Sequence, residues 1–286
     1  MRWESEEQSE NLEDRRSFGA GKVAIGGGAA IVVMLLGYFF GVDPALLNQF
    51  LGNANDGGNQ PGQVRPPTPE EKRSKDFAAT ILRFTEEVWD EQFRKAGKHY
   101  VPPHMVLFSN RVDTGCGSAP SAVGPFYCPT DKTVYLDPTF FDELEQKLGG
   151  SKAEFSQAYV IAHEVGHHVQ HLLGYSIDDK RRTLPKAEFN QWSVRLELQA
   201  DYLAGVWAHY GQEKFKFIEP GDVESAIKSA NSIGDDRLQR RSGGFVSPEA
   251  FTHGTSEQRV RWFTLGLKTG DMRNLKKIFD MPYGEL

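Results

Sequence analysis

Apolar positions along this chain fall into three kinds of pattern. From Phe77 through Ile81, Phe84, Val88, Trp89 and Phe93 they recur at steps of three and four residues, which predicts an amphipathic helix from near Lys75 to Gly97. Pro102-Pro103 stops that helix. The short apolar runs at 105–108, 126–128 and 133–136 predict strands, the last two parted by Pro129-Thr130-Asp131. Helical spacing then takes over across 151–172, 189–210, 222–232 and 256–267. Strands first and helices after predict an α+β domain over residues 75–286, with a small sheet and a mainly helical remainder.

The third pattern has no polar face at all. Residues 23–42 carry no charge, and their number matches the roughly 20 residues that a membrane helix requires. Tyr38, Phe39 and Phe40 gather at one end, as interfacial aromatics do. These residues are therefore expected to form one transmembrane anchor. The segment before them, 1–22, is polar and charged through Arg16 and reads as a disordered tail. The segment after, 43–74, reads as a flexible linker, since residues 52–69 within it are rich in Gly, Asn, Gln and Pro. The long acidic tail and the lack of a small-x-small site after Val42 favour an anchor retained over a signal peptide removed. Arg15, Arg16 and Lys22 precede the span, and no basic residue follows it until Arg65. The positive-inside rule then puts the N-terminus in the cytoplasm and the folded domain outside a single-pass inner (cytoplasmic) membrane anchor.

Composition narrows the function classes. A net charge of −6 over 286 residues provides no basic field for nucleic acid. Two cysteines, Cys116 and Cys128, flank a turn-rich stretch with Gly117, Pro120, Gly124 and Pro125, and on an oxidising exterior they are expected to form a disulfide.

The chemistry lies inside the predicted helix 151–172, at His163-Glu164-Val165-Gly166-His167. Residues four apart stack on one helical face, so both imidazoles can bind one metal ion while Glu164 reaches a water on it. His171 shares that face but sits roughly 12 Å along the axis from His163, and His168 is turned about 100° from His167. The metzincin spacing would need Gly at 170 and His at 173, where the chain has Gln170 and Leu173. The third ligand is therefore expected downstream, where Glu197 and Asp201 share one face of a helix made apolar by Leu196, Leu198, Tyr202, Leu203, Val206 and Trp207. Buried carboxylates need partners. Glu197 is read as the ligand and Asp201 as the group that orients His163 or His167. Zn2+ on His163, His167 and Glu197 keeps a fourth position for water, with Glu164 as general base.

With these residues in view, the chain resembles the gluzincin group of zinc peptidases. More narrowly, it resembles the bacterial neutral zinc metallopeptidases anchored by one N-terminal membrane helix. The resemblance is carried by Met1-Arg2-Trp3-Glu4, Glu13-Asp14-Arg15-Arg16, and the segments 163–174, 197–207 and 252–262. It implies a zincin fold, one zinc ion and hydrolysis of peptide bonds, with the substrate laid along a sheet edge for which residues 124–128 are the candidate. The segment Thr252-His253 with Arg259 beyond it resembles one found in some membrane-associated gluzincins, although Gly254 stands where proline is common there. The resemblance implies that His253 contacts the oxyanion and that Arg259 holds either substrate carbonyls or a structural carboxylate. Tyr135, Tyr202 and Tyr210 are other candidate donors. The expected function is a membrane-tethered zinc endopeptidase acting on proteins or peptides. A catalytically silent zinc fold that binds a partner, and a zinc amidase acting on a non-peptide bond, are the alternatives. Cleavage specificity and oligomeric state stay open.

Overall fold

A computed structural model describes residues 1–16, 65–175, 180, 183–241 and 246–286. The first long helix, α1 (Pro69–Lys95), begins ahead of the expected Lys75 because a cap lies hidden in the polar linker composition. The Thr68 hydroxyl accepts from the Glu71 N–H at 3.2 Å, and the Glu71 carboxylate accepts from the Thr68 N–H at 2.7 Å, with Pro69 in the first turn.

Strands β1 (Leu12–Asp14), β2 (His104–Leu107), β5 (Phe126–Cys128) and β6 (Thr133–Leu136) form one sheet in the order β1-β2-β6-β5. The first three in that order run parallel, and β5 runs antiparallel to β6. A separate hairpin, β3 (Arg111–Thr114) with β4 (Gly117–Pro120), covers one side of this sheet. Met105, Leu107, Val134 and Leu136 face the helical core, whereas Val106, Phe126, Cys128 and Tyr135 pack with Val112 and Ala119 of the hairpin. Burial on both faces is why these strands read as unbroken apolar runs rather than alternating ones. The expected Cys116–Cys128 disulfide is present and ties the hairpin turn to β5.

Among the described residues the helical remainder includes α2 (Phe140–Gln146), α3 (Glu154–Leu173), α4 (Lys186–Phe215), α5 (Asp222–Ser232), α6 (Asp235–Arg241), α7 (Ser256–Thr269) and α8 (Lys277–Asp280). The α+β expectation therefore agrees with a helix-rich domain carrying small sheets. Helices α4 and α7 pack at backbone contact, through glycine on each side. A Cβ on Gly205 would lie 2.2 Å from the Phe263 carbonyl oxygen, and one on Gly266 would lie 2.1 Å from that of Tyr202. That approach brings a residue of α7 within reach of a buried acid on α4.

Residues 1–16 are not the free tail that their polarity suggested. Trp3 is buried against Phe77 at 5.2 Å between ring centroids, with the Arg73 guanidinium 4.9 Å above its ring. The Ser9 hydroxyl and the Asn11 amide both donate to the buried Glu86 carboxylate, at 2.6 and 2.7 Å. Strand β1 completes the sheet beside β2, Leu12 opposite Met105 and Asp14 opposite Leu107. The charges misled because they pair locally: Arg16 lies on Asp14 at 2.7 Å, and both side chains are largely buried. Trp3→Ala is expected to cost about 3 kcal/mol or more, read as a lower urea midpoint for the whole domain; a free tail would leave the midpoint unmoved. The expected anchor, 23–42, lies outside the described residues. Among the described residues no helix is long and apolar enough to cross a membrane.

Candidate metal centre

Helix α3 carries the histidine pair and ends at Gly174, whose φ of 85° suits the left-handed cap. Gly166, between the two histidines, lets α4 approach closely. A Cβ there would stand 3.1 Å from the Ala200 carbonyl oxygen. The close approach brings Glu197 between the two rings, with Oε2 3.2 Å from His163 Nε2 and Oε1 3.5 Å from His167 Nε2. The donor atoms of His163, His167 and Glu197 all lie within 4.8 Å of one another, as a single ion requires.

The donor chemistry fits a zinc ion. Each histidine has its Nδ1 engaged, which turns Nε2 toward Glu197. His163 Nδ1 lies 2.9 Å from Asp201 Oδ1. His167 Nδ1 lies 2.9 Å from Gln170 Oε1, and the Gln170 amide nitrogen donates in turn to the Leu196 carbonyl at 2.6 Å. That last bond fixes the Gln170 amide so that its oxygen faces the histidine. Gln170 is thus a site residue that the sequence reading used only to reject another spacing. Its position three after His167, on the same helical face, was the available signal.

Asp201 is fully buried and accepts three partners: His163, the Tyr159 hydroxyl at 2.6 Å, and Arg259. The Arg259 Nε meets Oδ2 at 2.8 Å and its Nη2 meets Oδ1 at 3.0 Å. Arg259 is itself buried. Of the two roles expected for it, the one seen is the hold on a structural carboxylate, with Nε and Nη2 both directed at Asp201. Through Asp201 it bears on the position of the His163 ring.

The charges in this cluster oppose burial. Burial raises the Asp201 carboxyl, but Arg259 and His163 outweigh it and hold its pKa at about 2. Burial also raises Glu197, yet His167 and His163 keep it well below the usual carboxylate range. Burial disfavours a charged His163, but Asp201 and Glu197 prevail and hold its pKa up at about 10 without a metal. Loading the site therefore means displacing a proton from His163. Glu164 differs from the other acids. Burial pushes its pKa up to about 7; the positive His163 pulls against this, Glu197 adds to it, and the Tyr127 backbone N–H donates a hydrogen bond to it.

Tyr127 lies on β5, the strand that ends the sheet on the side of α3. Its hydroxyl lies 2.9 Å from His168 Nδ1, and His168 Nε2 lies 2.7 Å from the Val101 carbonyl oxygen. His168, excluded as a ligand by its rotation, thus clamps the strand to the metal helix. His171 is exposed, with its ring 6.3 Å from that of Tyr127.

His253 lies close enough to Glu197 for the charge of each to act on the other. Burial lowers its pKa, but Asp235 outweighs this and raises it. Asp235 Oδ1 lies 3.1 Å from His253 Nδ1, while Oδ2 accepts the backbone N–H groups of Thr252, His253 and Gly254 at 2.7, 2.6 and 3.1 Å. The Thr255 N–H donates to Gln258 Oε1 at 2.8 Å, and Asp236 accepts that of Ser256 at 2.8 Å. The sequence reading missed this pair of aspartates. The three tyrosines named as other donors bond elsewhere: Tyr135 to Asp131, Tyr202 to the Asp271 carbonyl and Tyr210 to the Gly270 carbonyl. A cavity of about 790 Å³ lined by Phe93, Tyr175, Tyr210 and Met272 includes none of the metal-site residues.

Comparison with known proteins agrees with this geometry. A family model described as "Putative neutral zinc metallopeptidase" matches residues 1–277. The "Uncharacterized protein YpfJ" of Escherichia coli K12 is 45% identical over 285 residues, covering 95% of this chain and 96% of its own. The "Uncharacterized protein Rv2575" of Mycobacterium tuberculosis H37Rv is 48% identical over 181 residues, covering 60% of this chain and 61% of its own. No solved structure matches.

Proposed function

Because this chain belongs to the neutral zinc metallopeptidase family, we propose that it hydrolyses peptide bonds at the His163, His167 and Glu197 site, with Glu164 as the general base. The observation that carries the proposal is the position of Glu164, a buried carboxyl with a raised pKa set between two ligand histidines and tied to strand β5. Bound at this site, zinc supplies the Lewis acidity that activates water and polarises a carbonyl.

The protein's own groups supply the rest. Glu164 takes a proton from the attacking water and returns it to the leaving amine, a double role suited to a pKa near the working pH. His253, held at Nδ1 by Asp235, donates a hydrogen bond toward the developing oxyanion. Arg259, Asp201 and Tyr159 keep the His163 ring in place. A peptide substrate extends beside β5, whose backbone already reaches Glu164.

In this proposal residues 23–42 attach the enzyme to the inner (cytoplasmic) membrane, as their uncharged sequence supports. The domain faces an oxidising, extracytoplasmic space, which the Cys116–Cys128 link supports.

The test is hydrolysis of a diverse peptide library by the purified full-length protein. Cleavage should vanish on chelation and return with one equivalent of zinc. A protein that binds one zinc yet cleaves no peptide would refute the peptidase reading, and an amidase would show itself on non-peptide amides.

A further inference from the structure

The packing of residues 1–16 conflicts with a single crossing of the bilayer between them and the rest of the domain. Neighbouring strands stand about 4.8 Å apart, whereas the hydrocarbon core of a bilayer is about 30 Å thick. Strand β1 is paired in register with β2, and its flanks are tied down as well. The Met105 N–H donates to the Asn11 carbonyl at 2.9 Å, and the Arg15 N–H to the Leu107 carbonyl at 2.8 Å. On the other side of the uncharged stretch, the chain is back in the same domain by the cap of α1, where Arg16 Nη2 donates to the Glu71 carbonyl at 2.8 Å. One bilayer crossing between Arg16 and Arg65 would place these partners on opposite faces.

We propose that residues 1–16 and the domain they pack into occupy the same side of the membrane that residues 23–42 engage.

Three features of the described residues support this placement. Two of the three basic residues that marked the N-terminus as cytoplasmic are engaged in ion pairs within the domain. Arg16 is buried on Asp14, and Arg15 is paired with Glu13 at 2.6 Å. The buried Glu86 carboxylate takes two hydrogen bonds from Ser9 and Asn11, which would be lost if those residues stood across a bilayer. Trp3, Phe77 and Phe84 belong to one continuous core, so removing the N-terminal segment would expose apolar surface on α1. The proposal depends on the packing and on the uncharged stretch, and does not depend on catalysis.

The experiment uses full-length protein carrying one added cysteine, Glu10→Cys or Lys268→Cys, at exposed positions on the two parts. Bacterial spheroplasts expressing each variant are treated with a membrane-impermeant maleimide, before and after the membrane is opened. The disulfide-bonded native cysteines provide the background control. The expected result is that the protein sediments with membranes and both variants behave alike, labelled in intact spheroplasts or protected together until lysis. Labelling of one position with protection of the other would overturn the shared side. Recovery of all the protein in the soluble fraction would overturn engagement of the bilayer. Should an added cysteine disturb folding, a short epitope at residue 10 and another at 268, read by protease protection, give the same two outcomes.

Discussion

Glu164→Gln is expected to lower kcat for peptide hydrolysis by about a thousandfold while leaving KM and zinc content close to those of the parent. Gln keeps the size of the side chain and can still accept the Tyr127 N–H, so the fold and the ligand set have no reason to change. What it cannot do is carry a proton from water to the leaving amine. Metal analysis and steady-state kinetics on one preparation check this, and unchanged kcat with full zinc would exclude Glu164 as the base. Stability gives an independent reading in metal-free protein. The folded Glu164 carboxyl has a pKa of about 7 against 4.5 for an ordinary one, so the fold favours its protonated form. Its contribution is complete below about pH 4.5 and is lost as pH rises through 7. Above that the ionised group is a net cost, on the order of 3 kcal/mol. Glu164→Gln should therefore be the more stable protein at pH 8, with the difference closing in acid; a constant difference across that range would contradict the raised pKa.

The second large effect belongs to Arg259. Arg259→Met leaves Asp201 buried and without its cation, an arrangement that costs about 3–5 kcal/mol. It also loosens the His163 ring, and loss of such a supporting contact typically lowers zinc affinity about 10–100-fold. A substrate-binding arginine would behave differently, raising KM without touching stability or metal. The two roles separate further in the double variant Arg259→Met with Asp201→Asn. Removing the stranded charge should recover much of the stability, while zinc affinity stays low because His163 has lost its carboxylate. Calorimetry and competitive zinc titration read the two quantities side by side.

How much of this was legible in the sequence depended on the length and phase of each pattern. The helices with several turns of apolar spacing were visible, and α5 falls where the spacing placed it. Strands β5 and β6 were visible because burial on both faces makes them unbroken apolar runs. The short elements α2 and α6 offered too few turns for a period to emerge, and the β3–β4 hairpin hid among glycines and prolines. Strand β1 was lost to its composition, since Glu13, Asp14, Arg15 and Arg16 read as solvent-exposed until their pairing with one another is seen. In the metal centre, His163, His167 and Glu197 could be found by helical geometry alone, because two ligands share a helix and the third lies in an apolar one. Asp235 could not. Its partners are backbone N–H groups of a loop, and no spacing rule links a helix-start aspartate to a histidine eighteen residues on.

The place of β1 in the sheet also orders events in time. Its partner, Met105, is made long after Leu12, and closing so long a loop carries an entropic cost that must be met before the pair gains anything. Parallel pairing of distant segments is among the slower steps in folding. During synthesis β1 thus has nothing to pair with until β2 and α1 exist. Pairing of β1 with β2 closes the longest connection between neighbouring strands of this sheet.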